Sequence, residues 1–127
     1  MRRDSNDKEW REVKDKVRQR DKRDRMDYIV TPLERTLLKM NAGYNIDTLD
    51  PAHINPVGRY PEWCYDENNI VLLNHFSHSC LDNCRDPIRG EPISVEERDR
   101  WWLRIIKVNK KQYEYLKEHG MLPIEEE

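Results

Sequence analysis

The chain has 127 residues, 36% of them hydrophobic and 38% charged, with a mean hydropathy of −1.08 and a net charge of −2. That length suits one core. The absence of any apolar run near the ~20 residues of a membrane span, with the polar start MRRDSNDKEW, predicts a cytoplasmic protein with no leader and no membrane partner.

Four Trp and six Tyr argue against full disorder. The three cysteines, Cys64, Cys80 and Cys84, form no Cys-x-x-Cys pair, so neither a disulfide framework nor a four-thiolate zinc site is available. The charge is unevenly spread. Residues 1–25 carry 11 Lys/Arg against 7 Asp/Glu, residues 26–84 carry 3 against 8, residues 85–111 carry 8 against 5, and residues 112–127 carry 1 against 5. Basic arms around an acidic middle suit a protein that touches phosphate at its ends and holds a cation at its centre; mixed-charge solvated helices give the same pattern.

In chain order, residues 6–24 read as a helix whose apolar stripe is only Trp10, Val13 and Val17. So narrow a stripe cannot hold a helix alone, so it must dock. Thr31-Pro32-Leu33-Glu34 is a capping box with Pro at the first helical position, opening a helix that stops at Asn41-Ala42-Gly43. Residues 44–74 are punctuated by Pro51, Pro56, Gly58 and Pro61 and are not helical. Residues 50–56 read as a short strand and residues 69–74, Asn-Ile-Val-Leu-Leu-Asn, as a buried one. They pair as a hairpin around a long loop, 57–68, whose length points to function or local mobility.

Residues 75–83 suit a short helix with Phe76 and Leu81 inward and with His78 and Asp82 one turn apart on a shared face. A second capping box, Ser94-Val95-Glu96-Glu97, opens a helix carrying Trp101, Trp102, Ile105 and Ile106, with both Trp expected in the core. A last helix with Tyr113 and Leu116 ends at Gly120. Cys80 and Cys84 read as buried free thiols, and His119, in the last helical turn, receives no catalytic role.

The centre has His53 on the first strand, Asn69 opening the second, and His78 on the helix that follows. His53-Ile54-Asn55-Pro56, and the run from Asn69 through Ile70, Val71, Leu72, Leu73 and Asn74 to His78, resemble the HNH endonuclease family. Residues 79–93, Glu97-Arg98 and Trp101-Trp102 resemble its small bacteriophage-encoded members, as do residues 10–21. In many relatives cysteines stand where Asn74 and Ser77 stand here, and a further pair follows the first helix, where residues 22–29 have none. Both halves of a structural zinc site are therefore missing together, with Trp63, Trp101 and Trp102 available to pack in its place.

The resemblance implies an α+β fold: a ββα-metal finger, hairpin plus helix, flanked by N- and C-terminal helices. It implies one nuclease domain over 1–127, comprising a basic helical arm (1–25), the finger (44–84), C-terminal helices (94–120) and an acidic tail (121–127). The implied activity is metal-dependent hydrolysis of DNA phosphodiesters, as nicks or double-strand cuts, leaving 5′-phosphate and 3′-hydroxyl ends. His53 would be the general base, since a near-neutral imidazole can take a proton from water, and Asn69 would orient the His53 loop. His78 and Asp82 would hold one divalent ion, Mg2+, Mn2+, Zn2+ or Ni2+, with no structural zinc.

Many relatives carry a metal ligand directly before the base, where this chain has Ala52; Asp50, on the same strand face, either reaches the metal or caps the Pro51 turn. His75 is left unassigned, as an exposed neighbour or a phosphate contact. Arg11, Lys14, Arg18, Arg20, Arg85 and Arg89 are the expected contacts to double-stranded DNA. The biological setting would be homing or phage genome packaging or replication, in a bacterial host. Ala52 and the absent cysteines also fit an inactive DNA-binding adaptor, and the acidic tail fits a protein-interaction module.

Overall fold

A computed structural model describes residues 7–124. Among them the order is α1 (Asp7–Asp21), α2 (Pro32–Ala42), β1 (Leu49–His53), β2 (Ile70–Asn74), α3 (His75–Asp82), α4 (Val95–Lys107) and α5 (Lys110–Glu118), with short 3-10 turns between. The fold is α+β: helices around one two-stranded antiparallel hairpin that runs directly into a helix. No helix among the described residues is long and apolar enough to cross a membrane.

The hairpin register pairs Leu49 with Asn74 and His53 with Ile70. Pro51 lacks an N–H, and it is accommodated because β1 is an edge strand. β1 ends three residues earlier than the sequence predicts, at His53 instead of Pro56, and β2 begins one residue later, at Ile70. Ile54 N still donates to Asn69 O at 2.8 Å, but Asn69 already belongs to the 3-10 turn Glu67–Asn69. The long loop between the strands is packed: Tyr60 and Trp63 stack at 4.5 Å and 8°.

β2 is buried along its whole length, Ile70 and Leu72 toward α1 and Val71 and Leu73 in the main core. The narrow stripe of α1 docks as expected, with Val13 and Val17 buried against Ile70 and Leu72. The helix stops at Asp21 because Lys22 turns left-handed at φ 63°. Polar side chains then anchor it where apolar area is scarce. Asp21 Oδ2 accepts from Leu72 N at 2.9 Å, while Arg20 donates to Glu67 O at 2.7 Å and to Ile70 O, so two consecutive residues of α1 occupy backbone groups of β2. Arg25, 1% exposed, donates to Asp21 Oδ1 (2.7 Å), Gln112 Oε1 (2.6 Å) and Ile105 O (3.0 Å), tying α1 to α4 and α5.

Both predicted capping boxes position their helices: Thr31 accepts from Glu34 N, and Ser94 from Glu97 N. Trp102 is buried, whereas Trp101 is half-buried beneath the Arg104 guanidinium. Cys64 and Cys80 are buried and Cys84 half-buried, all three as free thiols. The segment read as a tail is partly core: Met121 is 2% exposed and its N–H donates to Leu116 O, while Glu125–Glu127 lie outside the described residues. So do Met1–Asn6 of the basic arm.

Candidate metal and catalytic site

The short α3 sets the site because it follows β2 without a linker. Asn74 closes the strand and caps the helix, its Oδ1 accepting from Ser77 N at 2.8 Å. Asn74 Nδ2 donates to Asp24 Oδ2 at 2.7 Å, and Ser77 Oγ donates to Pro87 O at 2.8 Å. The two positions where the resemblance puts cysteines thus form a buried hydrogen-bonded cluster with Asp24. Burial pushes the Asp24 carboxyl up, above the ordinary carboxylate value.

One turn on, His78 lies between two carboxylates. Its Nδ1 is 2.9 Å from Asp50 Oδ2 and its Nε2 is 3.2 Å from Asp82 Oδ2. Asp50 Oδ2 also meets His75 Nδ1 at 2.6 Å. An ionised carboxylate only accepts, so both Nδ1 atoms donate to Asp50. The hydrogen bond to Asp82, with that to Asp50, raises the His78 pKa against partial burial. Partial burial pushes Asp50 up, but the bonds from His78 and His75 outweigh it and hold the carboxyl below its ordinary value. Asp50 does not act as a turn cap; its carboxylate reaches across to α3.

Asp50, His75 and His78 each offer a ligand atom within 4.8 Å of the others, so one metal ion could be held there. Two imidazoles and a carboxylate are a donor set suited to first-row divalent ions. Sequence reasoning assigned His75 no role; its i, i+3 spacing from His78 was the available signal. The expected metal trio of Asp50, His78 and Asp82 divides. Asp50 and Asp82 sit on different ring nitrogens of His78, which point apart, so a single ion cannot take all three around one nitrogen.

His53 stands on the other face of β1. A cleft of about 750 Å3 is lined by Pro51 and His53, two residues apart on one strand face, and by His78 and Asp82. Asp50 and His75 do not line it. His53 Nε2 lies 2.9 Å from Cys64 O. A carbonyl can only accept, so Nε2 donates and the neutral ring keeps its lone pair on Nδ1. Trp10 of α1 stacks on the ring at 5.3 Å and 11°, fixing its plane.

Asn69, fully buried, holds the segment just past His53. Its Oδ1 accepts from Asn55 N and Asn55 Nδ2, both at 2.9 Å, and its Nδ2 donates to Asn55 O at 3.1 Å. Asn55 Nδ2 continues to Met121 O at 2.9 Å, so the C-terminal segment also braces this loop.

The cationic residues of the cleft are Arg59, over the Tyr60 ring, and Arg98, beside Asp99. Arg98 belongs to the basic stretch 85–111 expected to touch phosphate, whereas Arg59 was not predicted as a DNA contact and lies in the long loop whose length pointed to function. Of the expected contacts, Lys14 sits over the Trp10 ring at the cleft edge, Arg11 is exposed, and Arg18 is exposed beside Asp15. Arg85 donates to Gly90 O and Arg89 pairs with Asp86, and both arginines are exposed. Arg20 is corrected: its guanidinium, 18% exposed, is spent on Asp21, Glu67 O and Ile70 O and holds α1 to the hairpin.

Comparison of the chain with protein-family models, with curated proteins and with solved structures finds no match in any of the three.

Proposed function

We propose that the protein is a metal-dependent DNA endonuclease of the HNH type, with the hairpin and α3 as its ββα-metal finger. The observation that carries this reading is that His53, His78 and Asp82, from β1 and α3, open onto one cleft beside Arg59 and Arg98. The cleft holds a proton acceptor, a metal-binding pair and two cations within one concave surface. His78 and Asp82 would hold a divalent ion there, which when bound would supply positive charge to the phosphate and the leaving oxygen.

The chain's own residues do the rest. His53 Nδ1 takes the proton of the attacking water, and Cys64 O and Trp10 hold the ring in the required tautomer and plane. Asp50 accepts from His78 Nδ1, which directs the other nitrogen, Nε2, toward the cleft, the usual arrangement behind a metal-bound histidine. Asn69 keeps Asn55, and with it the His53 segment, in place. Arg59 and Arg98, both lining the cleft, meet backbone phosphates of the duplex.

The test is nicking of supercoiled plasmid in Mg2+, Mn2+, Ni2+ or Zn2+, against chelator, with His53→Ala alongside. The wild type nicks with at least one ion. His53→Ala binds metal and DNA and loses about 10²–10⁴-fold in rate. Equal rates for the two proteins would overturn the role of His53. DNA binding without nicking in any ion would leave the adaptor reading.

A further inference from the structure

We propose that Asp50, His75 and His78 form a second cation site, of the Zn2+ class, whose filling withdraws His78 from the cleft. The withdrawal rests on the function proposed above; the site itself does not. Three observations point to it.

The donor set comes first. Two imidazole nitrogens and one carboxylate oxygen converge, and His75 is half-exposed, which leaves a fourth position open to water. Three protein ligands of this kind plus a solvent position form a characteristic Zn2+ arrangement. Bonds of about 2.0–2.1 Å in a tetrahedron place ligand atoms roughly 3.3 Å apart. The present contacts to Asp50 Oδ2, 2.6 Å and 2.9 Å, need to open by less than about 1 Å. The partial positive charge at the start of α3 opposes a cation weakly, and the full charge of Asp50 offsets it.

The position comes second. Asp50 lies on the strand face opposite His53, and neither Asp50 nor His75 lines the cleft. An ion held by this trio is therefore displaced from the proposed base.

The third observation is the shared ring. His78 contributes Nδ1 to this trio and Nε2 to Asp82. A neutral imidazole has one lone pair. Coordination through Nδ1 puts the ring proton on Nε2, where it donates to Asp82 and can no longer bind an ion in the cleft. The two sites exclude one another. They also differ in strength: two imidazoles and a carboxylate hold Zn2+ more tightly than one imidazole and one carboxylate do, while the open positions of the latter also accommodate the harder, more hydrated Mn2+ or Mg2+. Zn2+ thus becomes an inhibitor that acts from outside the cleft.

The experiment titrates the full chain with Zn2+ alone by calorimetry, wild type against His75→Ala, with thermal melts to show that both are folded. His75→Asn replaces His75→Ala should the latter melt early. The variant binds Zn2+ at least tenfold more weakly, and Asp82→Ala binds it as the wild type does. Zn2+ displaces bound Mn2+, followed by its free-ion paramagnetic signal, from the wild type at a concentration at least tenfold lower than from His75→Ala, where it can compete only directly for His78 and Asp82. In the nicking assay with Mn2+, the Zn2+ concentration that halves the rate is at least tenfold higher for His75→Ala than for the wild type, and the variant's rate without Zn2+ is unchanged.

Zn2+ affinity indifferent to His75→Ala overturns the site. Zn2+ binding that depends on His75 but leaves Mn2+ bound overturns the exclusion. A wild type that nicks with no ion defeats the proposed function instead, and the Zn2+ titrations still decide the site.

Discussion

Asp21→Ala is the most informative perturbation of the fold, because one carboxylate there serves three elements. It accepts from Arg20 Nε (2.8 Å), Arg25 Nη2 (2.7 Å) and Leu72 N (2.9 Å). Its loss leaves Arg25, 1% exposed, with Gln112 Oε1 and Ile105 O as its remaining acceptors and no counter-charge. It also strips an acceptor from a buried strand N–H. Breaking a buried ion pair by removing one partner costs about 3–5 kcal/mol, a large part of the 5–15 kcal/mol that typically holds a domain together. With an unfolding entropy of roughly 2.1 cal/mol/K per residue, a chain of this size melts about 11–19 °C lower.

Thermal and urea unfolding measure this, with Arg18→Ala as the exposed control, which costs under about 0.5 kcal/mol. Asp21→Ala combined with Arg25→Met recovers much of the loss, since the stranded charge goes with its partner. A loss below about 1 kcal/mol for Asp21→Ala, or no recovery in the double variant, would refute the reasoning.

The same group gives a pH signature. Burial pushes the Asp21 carboxyl up, but the hydrogen bonds and charges of Arg20 and Arg25 outweigh it and hold it below its ordinary value. A carboxyl depressed on folding contributes stability above its unfolded pKa of about 3.9 and loses it as pH falls through the lower folded value. Acid unfolding below about pH 4 is therefore shallower in Asp21→Asn than in the wild type, whose starting stability is higher.

Four further outcomes are expected. Asn69→Ala, which takes from the partly buried Asn55 backbone N–H and C=O their shared side-chain partner, costs about 1–3 kcal/mol in urea unfolding and reduces nicking more than the melt alone explains. Mn2+ binding without DNA must displace the proton that Asp82 and Asp50 hold on His78; calorimetry then shows affinity rising about tenfold per pH unit until the raised pKa of His78, above the ordinary ~6.5, is passed. That same raised pKa contributes stability to the metal-free protein which is present below about pH 6.5 and is lost as pH rises through the folded value. Arg59→Ala with Arg98→Ala lowers the slope of log affinity for duplex DNA against log salt by about 1.8, two phosphate contacts' worth; an unchanged slope would place the duplex elsewhere.

What could be read in the sequence was local. The capping boxes at Thr31 and Ser94 position α2 and α4 because cap and partner lie three residues apart. The apolar run 70–73 could only be a buried strand, and the i, i+4 spacing of His78 and Asp82 places them in contact. The misreadings arise where distant polar groups decide. Arg20 looked like any surface cation of a mixed-charge helix, and nothing nearby announced that Glu67 O and Ile70 O, some fifty residues on, would claim it. The α1 terminus depended on a left-handed Lys22, a conformation with no signature in the Asp-Lys-Arg run around it.

Asp50 shows why a site cannot be assembled from spacing alone. On strand parity it shares a face with Ala52, which made it a plausible substitute for the ligand missing at that position. The register of the hairpin, Asp50 opposite Leu73, brings it instead beside the first turn of α3, under Nδ1 of both His75 and His78. Periodicity specifies which face a residue occupies, but not which end of a partner's ring it meets. For a histidine that difference decides the chemistry. A carboxylate on Nδ1 orients Nε2 toward a ligand, whereas one beside Nε2 competes for, or shares, whatever binds there. His78 has one of each, and its protonation and metal occupancy are therefore set jointly by Asp50 behind it and Asp82 at the cleft. Any account of activity has to treat the two carboxylates as opponents for one ring, which is why single substitutions of Asp50 and Asp82 are expected to differ in kind: Asp82→Ala removes a cleft ligand, while Asp50→Ala frees the tautomer of His78 and leaves the cleft donors in place.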